Sequence, residues 1–167
     1  MDEFSDGSLR LLAEHAGGLL LARRRRVATA ESCTGGWVAK CLTDIAGSSQ
    51  WFERGYVTYS NAAKEQQIGV SAEALMTFGA VSSPVAQQMA LGAVRSSGAD
   101  LAVAITGIAG PDGGSAEKPV GLVWFALADA GVARPLVRRQ QFSGDRERIR
   151  RAAVATAPQM LIEAAHP

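Results

Sequence analysis

Apolar side chains along this chain recur with two different periods, and the places where one gives way to the other mark the elements. Over residues 8–22, Leu11, Leu12, Leu19 and Leu20 recur with Ala13, Ala16 and Ala22 between them, which predicts an amphipathic helix. Arg23 to Arg26 follows. Cations suit a helix C-terminus, and the same run also reads as an anion or nucleic-acid patch. VATAE (27–31) predicts a short strand, SCTGG (32–36) a turn and 37–45 a helix, with a break at Gly47-Ser48-Ser49. FERGYVTYS (52–60) alternates and carries Tyr, Val and Thr, so it predicts a strand. Asn61 is placed to cap a helix over 62–68. Two more helices are expected near 71–78 and 84–97, the second with Pro84 in its first turn. LAVAIT (101–106) is a continuous apolar run, the pattern of a strand covered on both faces. A Gly- and Pro-rich loop spans 107–121. Strands are expected at 122–128 and 135–142, and Gly144-Asp145 opens a last helix. Pro158 falls inside that helix, where it lacks a donor and clashes with the Val154 carbonyl, predicting a kink or stop near Ala157.

Strands and helices alternate until the last two strands, which follow each other directly. That order predicts an α/β fold: a mixed, mostly parallel sheet with helices on both faces and one antiparallel hairpin. With 167 residues and no repeat or linker, the chain is expected to form a single domain over 1–167.

Composition narrows the chemistry. Seventeen basic and 16 acidic side chains nearly cancel, so the chain has no polycationic character and no nucleic-acid partner is expected. No apolar run reaches the roughly 18 residues of a membrane span, and the acidic opening MDEFSDGSLR is unlike a signal peptide. A soluble, cytoplasmic protein is expected. The two histidines, His15 and His166, lie in the first helix and next to the last residue, away from any glycine-rich turn. Cys33 and Cys41 lie eight apart across what reads as one helix, about 12 Å at 1.5 Å per residue, too far for a disulfide. No cluster has metal-ligand spacing, so no metal and no cofactor are expected.

Four segments can carry chemistry. In TAESCTGG (29–36) a hydroxyl sits on a strand-to-helix turn, with amides after it at a helix N-terminus. Ser32 there suits a nucleophile, with Thr34, Gly35 and Gly36 supplying amides to an oxyanion; equally, Ser32 or Thr34 merely caps the helix. Cys33 is the rival nucleophile, but a thiolate usually needs a nearby cation or His, and the sequence shows no such His. In GYVTYSNAAK (55–64), Tyr59 at a strand end and Lys64 one turn into a helix can face one cleft. A serine without His needs another base, and a buried Lys can take that part with a Tyr hydroxyl relaying the proton. The bland alternative is a surface Lys and a Tyr at the edge of the core. The third segment, TGIAGPDGG (106–114), follows a buried strand at the end where open α/β sheets bind ligands, and its glycines let backbone amides approach an anion. In FSGDR (142–146), Arg146 at a helix start can fork onto a phosphate or carboxylate, whereas Arg148, Arg150 and Arg151 read as a solvated face.

Taken together, TAESCTGGWVAK, TDIAGSS, WFERGYVTYSNAAK, ITGIAGPDGGSAEKPVGLVWFA and FSGDRERIRR resemble the CinA C-terminal domain family, over about residues 8–157. The resemblance implies a three-layer α/β/α sandwich. It also implies a nicotinamide-nucleotide amidohydrolase, which converts nicotinamide mononucleotide to nicotinic acid mononucleotide and ammonia. The family's nucleophile falls on Ser32, its Tyr and Lys partners on Tyr59 and Lys64, its Arg on Arg146, and a polar position at the mouth of its site on Thr106. Thr34, Gly35, Gly36, Asn61, Thr106, Gly107, Gly110 and Arg146 are then the substrate-binding candidates. The expected partner is a small nucleotide. Self-association is expected as well, with Trp37, Trp51 and Phe52 as contacts. Longer members carry a further domain, and this chain resembles the stand-alone form. The alternative is a non-catalytic nucleotide-binding or competence- or damage-linked module built on the same pocket.

Overall fold

The structure is a computed structural model that describes residues 3–165. Helix α1 (Asp6–Ala22) starts where the Ser5 hydroxyl accepts from the Ser8 amide. Strand β1 (Val27–Glu31), helix α2 (Trp37–Thr43), a 3-10 turn at Ser48–Gln50 and strand β2 (Phe52–Val57) follow. Three helices come next: α3 (Asn61–Ile68), α4 (Ala72–Phe78) and α5 (Ser83–Ser97). Then come β3 (Leu101–Gly107), β4 (Leu122–Asp129), β5 (Leu136–Gln141) and α6 (Arg146–Ala164).

The five strands form one sheet in the order β2-β1-β3-β4-β5. β2, β1 and β3 pair in parallel, while β4 pairs antiparallel with both β3 and β5. Four of the five strands therefore point the same way. The sequence reading expected one antiparallel pairing, and there are two. A parallel return needs a crossover, usually helical; residues 108–121 contain no helix, so the chain doubles straight back beside β3.

The two faces of the sheet differ in thickness. One presents Val27, Leu101, Val103, Ile105, Val123, Phe125 and Leu127, all buried beneath α1, α2 and α6. The other presents Ala28, Ala30, Ala102, Ala104, Ala126 and Ala128 beneath Val85, Ala86, Met89 and Ala90 of α5. Side chains alternate across a strand, so a Val-Ala-Val-Ala register yields one bulky face and one flat face. The flat face lets α5 lie close, and α3 packs on α5 in turn. A Cβ on Gly92 of α5 would stand 1.8 Å from the Ile68 carbonyl oxygen. A Cβ on Gly17 of α1 would meet the Trp51 ring at 2.5 Å, so Trp51 is an internal packing residue rather than an association surface.

Several boundaries differ from expectation. β2 stops at Val57, not Ser60: Thr58 keeps one amide bond to Glu31 O, and Ser60 already caps α3. Ser60, not Asn61, caps α3, its hydroxyl accepting from the Ala63 amide at 3.1 Å. α6 runs through Pro158 to Ala164 and does not stop near Ala157. Met160 and Leu161 beyond it are buried in the core, and that packing outweighs the lost backbone donor. Arg25 forks onto Asp129 with two 2.8 Å bonds, and Arg26 pairs with Glu53 at 2.7 Å. Both arginines thus close the N-terminal edge of the parallel strands and are not an open basic patch. His15 is exposed on α1, and His166 lies outside the described residues.

Candidate active site

The parallel strands β1, β2 and β3 all end at one edge, where Ser32, Thr58–Tyr59 and the Gly107–Gly114 loop emerge side by side. Backbone bonds hold that edge together: the Ser32 amide donates to Ile105 O at 3.0 Å, and the Thr58 amide to Glu31 O at 2.8 Å. Ser32 follows β1 directly, so its amide is anchored to the sheet while the rest of the residue belongs to the turn that follows.

Lys64 comes from the other layer. It sits in the first turn of α3 and is 1% exposed. Its Nζ stands 3.0 Å from Ser32 Oγ, 2.9 Å from Thr58 O and 3.5 Å from Tyr59 O. Burial lowers its pKa from the ordinary value, the nearby Cys33 opposing weakly. An uncharged amine has two N–H groups and one lone pair. With its two donors on the two carbonyls, an uncharged amine would keep its lone pair for the serine hydroxyl. The arrangement suits a neutral lysine that accepts the Ser32 proton.

Tyr59 is 59% exposed, and its two ends part company. Its carbonyl faces Lys64, while its hydroxyl receives a bond from Arg146 Nη2 at 3.2 Å. Arg146 Nη1 donates to Gly110 O at 2.7 Å, so this side chain bridges the tyrosine and the glycine loop. A cleft of about 290 Å³ opens between these groups. Ser32, Tyr59, Asn61, Lys64, Thr106, Gly107, Gly110 and Arg146 all line it. Thr106 is almost wholly buried, and its hydroxyl donates to Ala80 O at 2.9 Å, which ties the Gly79–Ser82 segment to the sheet. Cys33 also lines the cleft, but burial pushes its thiol up to about 12, far from thiolate chemistry at neutral pH. A second cavity, about 320 Å³ between α1 and α2, is lined by Cys41, whose thiol burial pushes up to about 11.

Thr34, Gly35 and Gly36 do not line the cleft. The Gly35 amide returns to Ser32 O at 3.1 Å. The N-terminus of α2, expected to receive an oxyanion, is already filled. Glu31, fully buried at the end of β1, accepts from Gly36 N and Val38 N at 3.0 Å and from Ala39 N at 2.8 Å. A carboxylate there satisfies the orphan helix amides and their partial positive charge. Thr34 is buried, and its carbonyl is taken by Arg150 Nη2 at 3.0 Å.

Glu31 and Arg150 are the site-building residues that sequence reasoning missed. The signal for Glu31 was an acid just ahead of a Gly-Gly helix start. For Arg150 it was the four-residue spacing from Arg146. Among the described residues no three His, Cys, Asp or Glu side chains gather as metal ligands.

Comparison with known proteins places this geometry in context. The model of the CinA C-terminal domain matches residues 9–165. The nicotinamide-nucleotide amidohydrolase PncC of Escherichia coli is 60% identical over 157 residues, 94% of each chain. The enzyme of the same name from Pseudomonas putida is 50% identical over 152 residues, covering 91% of this chain and 94% of its own. Among solved structures, the competence/damage inducible protein CihA from Agrobacterium tumefaciens superposes with a TM-score of 0.92. It is 48% identical, covering 98% of this chain and 97% of that one.

Proposed function

The chain belongs to the CinA C-terminal domain family, and on that footing we propose that it is a nicotinamide-nucleotide amidohydrolase with Ser32 as nucleophile and Lys64 as base. The reaction splits the carboxamide of nicotinamide mononucleotide with water, giving nicotinic acid mononucleotide and ammonia. Support for the substrate comes from the PncC enzymes, 50–60% identical over more than nine-tenths of the chain. The observation that carries the mechanism is the 3.0 Å approach of buried Lys64 Nζ to Ser32 Oγ at the head of the cleft.

The chemistry runs as two half-reactions. Neutral Lys64 takes the Ser32 proton as Oγ adds to the amide carbon. The carbonyl electrons move onto oxygen, giving a tetrahedral oxyanion. When the intermediate collapses, the C–N bond breaks, and the proton held on Lys64 passes to the leaving nitrogen, which departs as ammonia. Water then adds to the acyl-serine with Lys64 again as base, and the Ser32 oxygen leaves with that proton. Because the α2 amides serve Glu31, donors to the oxyanion come from the Gly107–Gly113 loop and Asn61. The Arg146 guanidinium, with Tyr59 on one nitrogen and Gly110 on the other, supplies positive charge at the cleft mouth for the phosphate. This role differs from a proton relay through Tyr59, whose hydroxyl is turned to Arg146. The cytoplasm is the compartment this reading assigns, in keeping with two free cysteines. Self-association is expected too, and light scattering of the full chain measures it.

Ammonia release from nicotinamide mononucleotide by wild type, Ser32→Ala and Lys64→Ala tests the proposal. Each variant should lose roughly 10³-fold or more in kcat. An inactive wild type, or full activity in Ser32→Ala, overturns it. Thermal stabilisation by the nucleotide with no turnover would instead mark a binding module.

A further inference from the structure

Helix α6 carries two arginines one turn apart, and they hold two different segments around the cleft. Arg146 holds Gly110 and Tyr59. Arg150 reaches the nucleophile turn from outside the cleft: Nε donates to Cys33 O at 3.1 Å and Nη2 to Thr34 O at 3.0 Å. Its guanidinium carbon lies 5.1 Å from the centre of the Trp37 ring, and the residue is half-buried. The sequence placed it on a solvated face.

A guanidinium is a rigid planar fork, and two successive carbonyls present a matching pair of acceptors. Peptide groups are planar as well, so fixing the carbonyls of Cys33 and Thr34 fixes the amides of Thr34 and Gly35. The Gly35 amide closes back on Ser32 O, and from the inner side Glu31 holds Gly36, Val38 and Ala39. The turn is therefore clamped between a buried anion and a stacked cation, with Ser32 at its start.

We propose that Arg150 is a positioning residue for Ser32: by forking onto Cys33 O and Thr34 O it sets the turn so that Oγ rests against Lys64 Nζ. The proposal rests on the reading of Ser32 as nucleophile. Arg150 does not line the cleft. A lysine at this position supplies a point charge without the fork, so charge alone cannot replace it. Displacing a reacting group by about 1 Å can reduce a rate by roughly 10²-fold.

The test compares wild type, Arg150→Lys and Arg150→Met in two assays. The first follows ammonia release from nicotinamide mononucleotide, with kcat and KM separated. The second measures the rate at which a fluorophosphonate labels Ser32, with Ser32→Ala as blank. Expected is a fall in kcat of about 10-fold in Arg150→Lys and up to roughly 10²-fold in Arg150→Met. KM should stay within about twofold, and the labelling rate should fall in step with kcat. Unchanged kcat and labelling overturn the proposal, and so does a raised KM at constant kcat, which would make Arg150 a substrate contact. If Arg150→Met does not fold, Arg150→Lys decides alone. A wild type that labels at Ser32 but releases no ammonia refutes the substrate assignment only, and the labelling series still decides for or against Arg150. No labelling and no ammonia refute both.

Discussion

Replacing Lys64 by Met separates what the buried amine does for the fold from what it does for chemistry. Lys64 is 1% exposed, and burial holds its pKa below the ordinary 10.5. Between that lowered value and 10.5, the unfolded chain carries a proton on this side chain and the folded chain does not. Wild-type stability therefore rises with pH in that window, by 2.303RT or about 1.4 kcal/mol per unit. As pH falls through the folded value the slope vanishes, because both states are then protonated. Met does not titrate. It also leaves Thr58 O and Tyr59 O without Nζ, a cost of about 1–3 kcal/mol for each carbonyl that stays dry. That cost is independent of pH and leaves the slope untouched. Urea unfolding of both proteins at half-unit steps from pH 7 to 10 gives the difference directly. Wild type should gain on Lys64→Met by about 1.4 kcal/mol per unit wherever the amine is neutral. A difference flat across the whole range would show Lys64 protonated in the folded state, and the base assignment would fail with it.

Other outcomes follow from single contacts. Cys33→Ala should keep most of its turnover, and Cys33 in folded wild type should resist maleimide at pH 8, since burial pushes its thiol up to about 12; rapid labelling at Cys33 would contradict this. Glu31→Gln keeps the shape but turns an amide N–H₂ toward backbone donors, so it should lose roughly 2–4 kcal/mol by denaturant melt and lower kcat. A wild-type melting curve for that variant would mean the α2 amides find other acceptors. Gly92→Ala puts a Cβ 1.8 Å from Ile68 O and should destabilise by more than about 3 kcal/mol or prevent folding; an unchanged melting temperature would refute the tight α3–α5 contact.

The elements most legible in the sequence were those whose own residues settle them. VATAE is β1 residue for residue, and LAVAIT is β3 with Gly107 added. In both, small and branched apolar residues leave little alternative to a strand covered on each face. The second antiparallel pairing was not legible, because it depends on where residues 108–121 return and no local pattern records that. The α6 stop failed for a similar reason: Pro158 is a local signal, and the burial of Met160 and Leu161 is not. Of the candidate site, the shared cleft of Ser32, Tyr59, Lys64, Thr106 and Arg146 agrees with the motifs that suggested it. The α2 N-terminus went wrong because a helix start reads as an empty anion site until a side chain from the preceding strand is seen folded into it. Arg150 was misjudged because a basic run gives no sign of which member turns inward.

The proposed nucleophile and base meet at one margin of the sheet. Ser32 extends from β1, while Lys64 stands on α3, beyond the end of β2, and its two carbonyl partners are the first residues past that strand. β2 is an edge strand, paired on one side only. Fraying of that margin would pull the amine from the hydroxyl while the thick face of the sheet stayed packed, since edges open at lower free energy than cores. Activity in this architecture is a local thermometer, set to fail with the margin of the sheet before the molecule as a whole gives way.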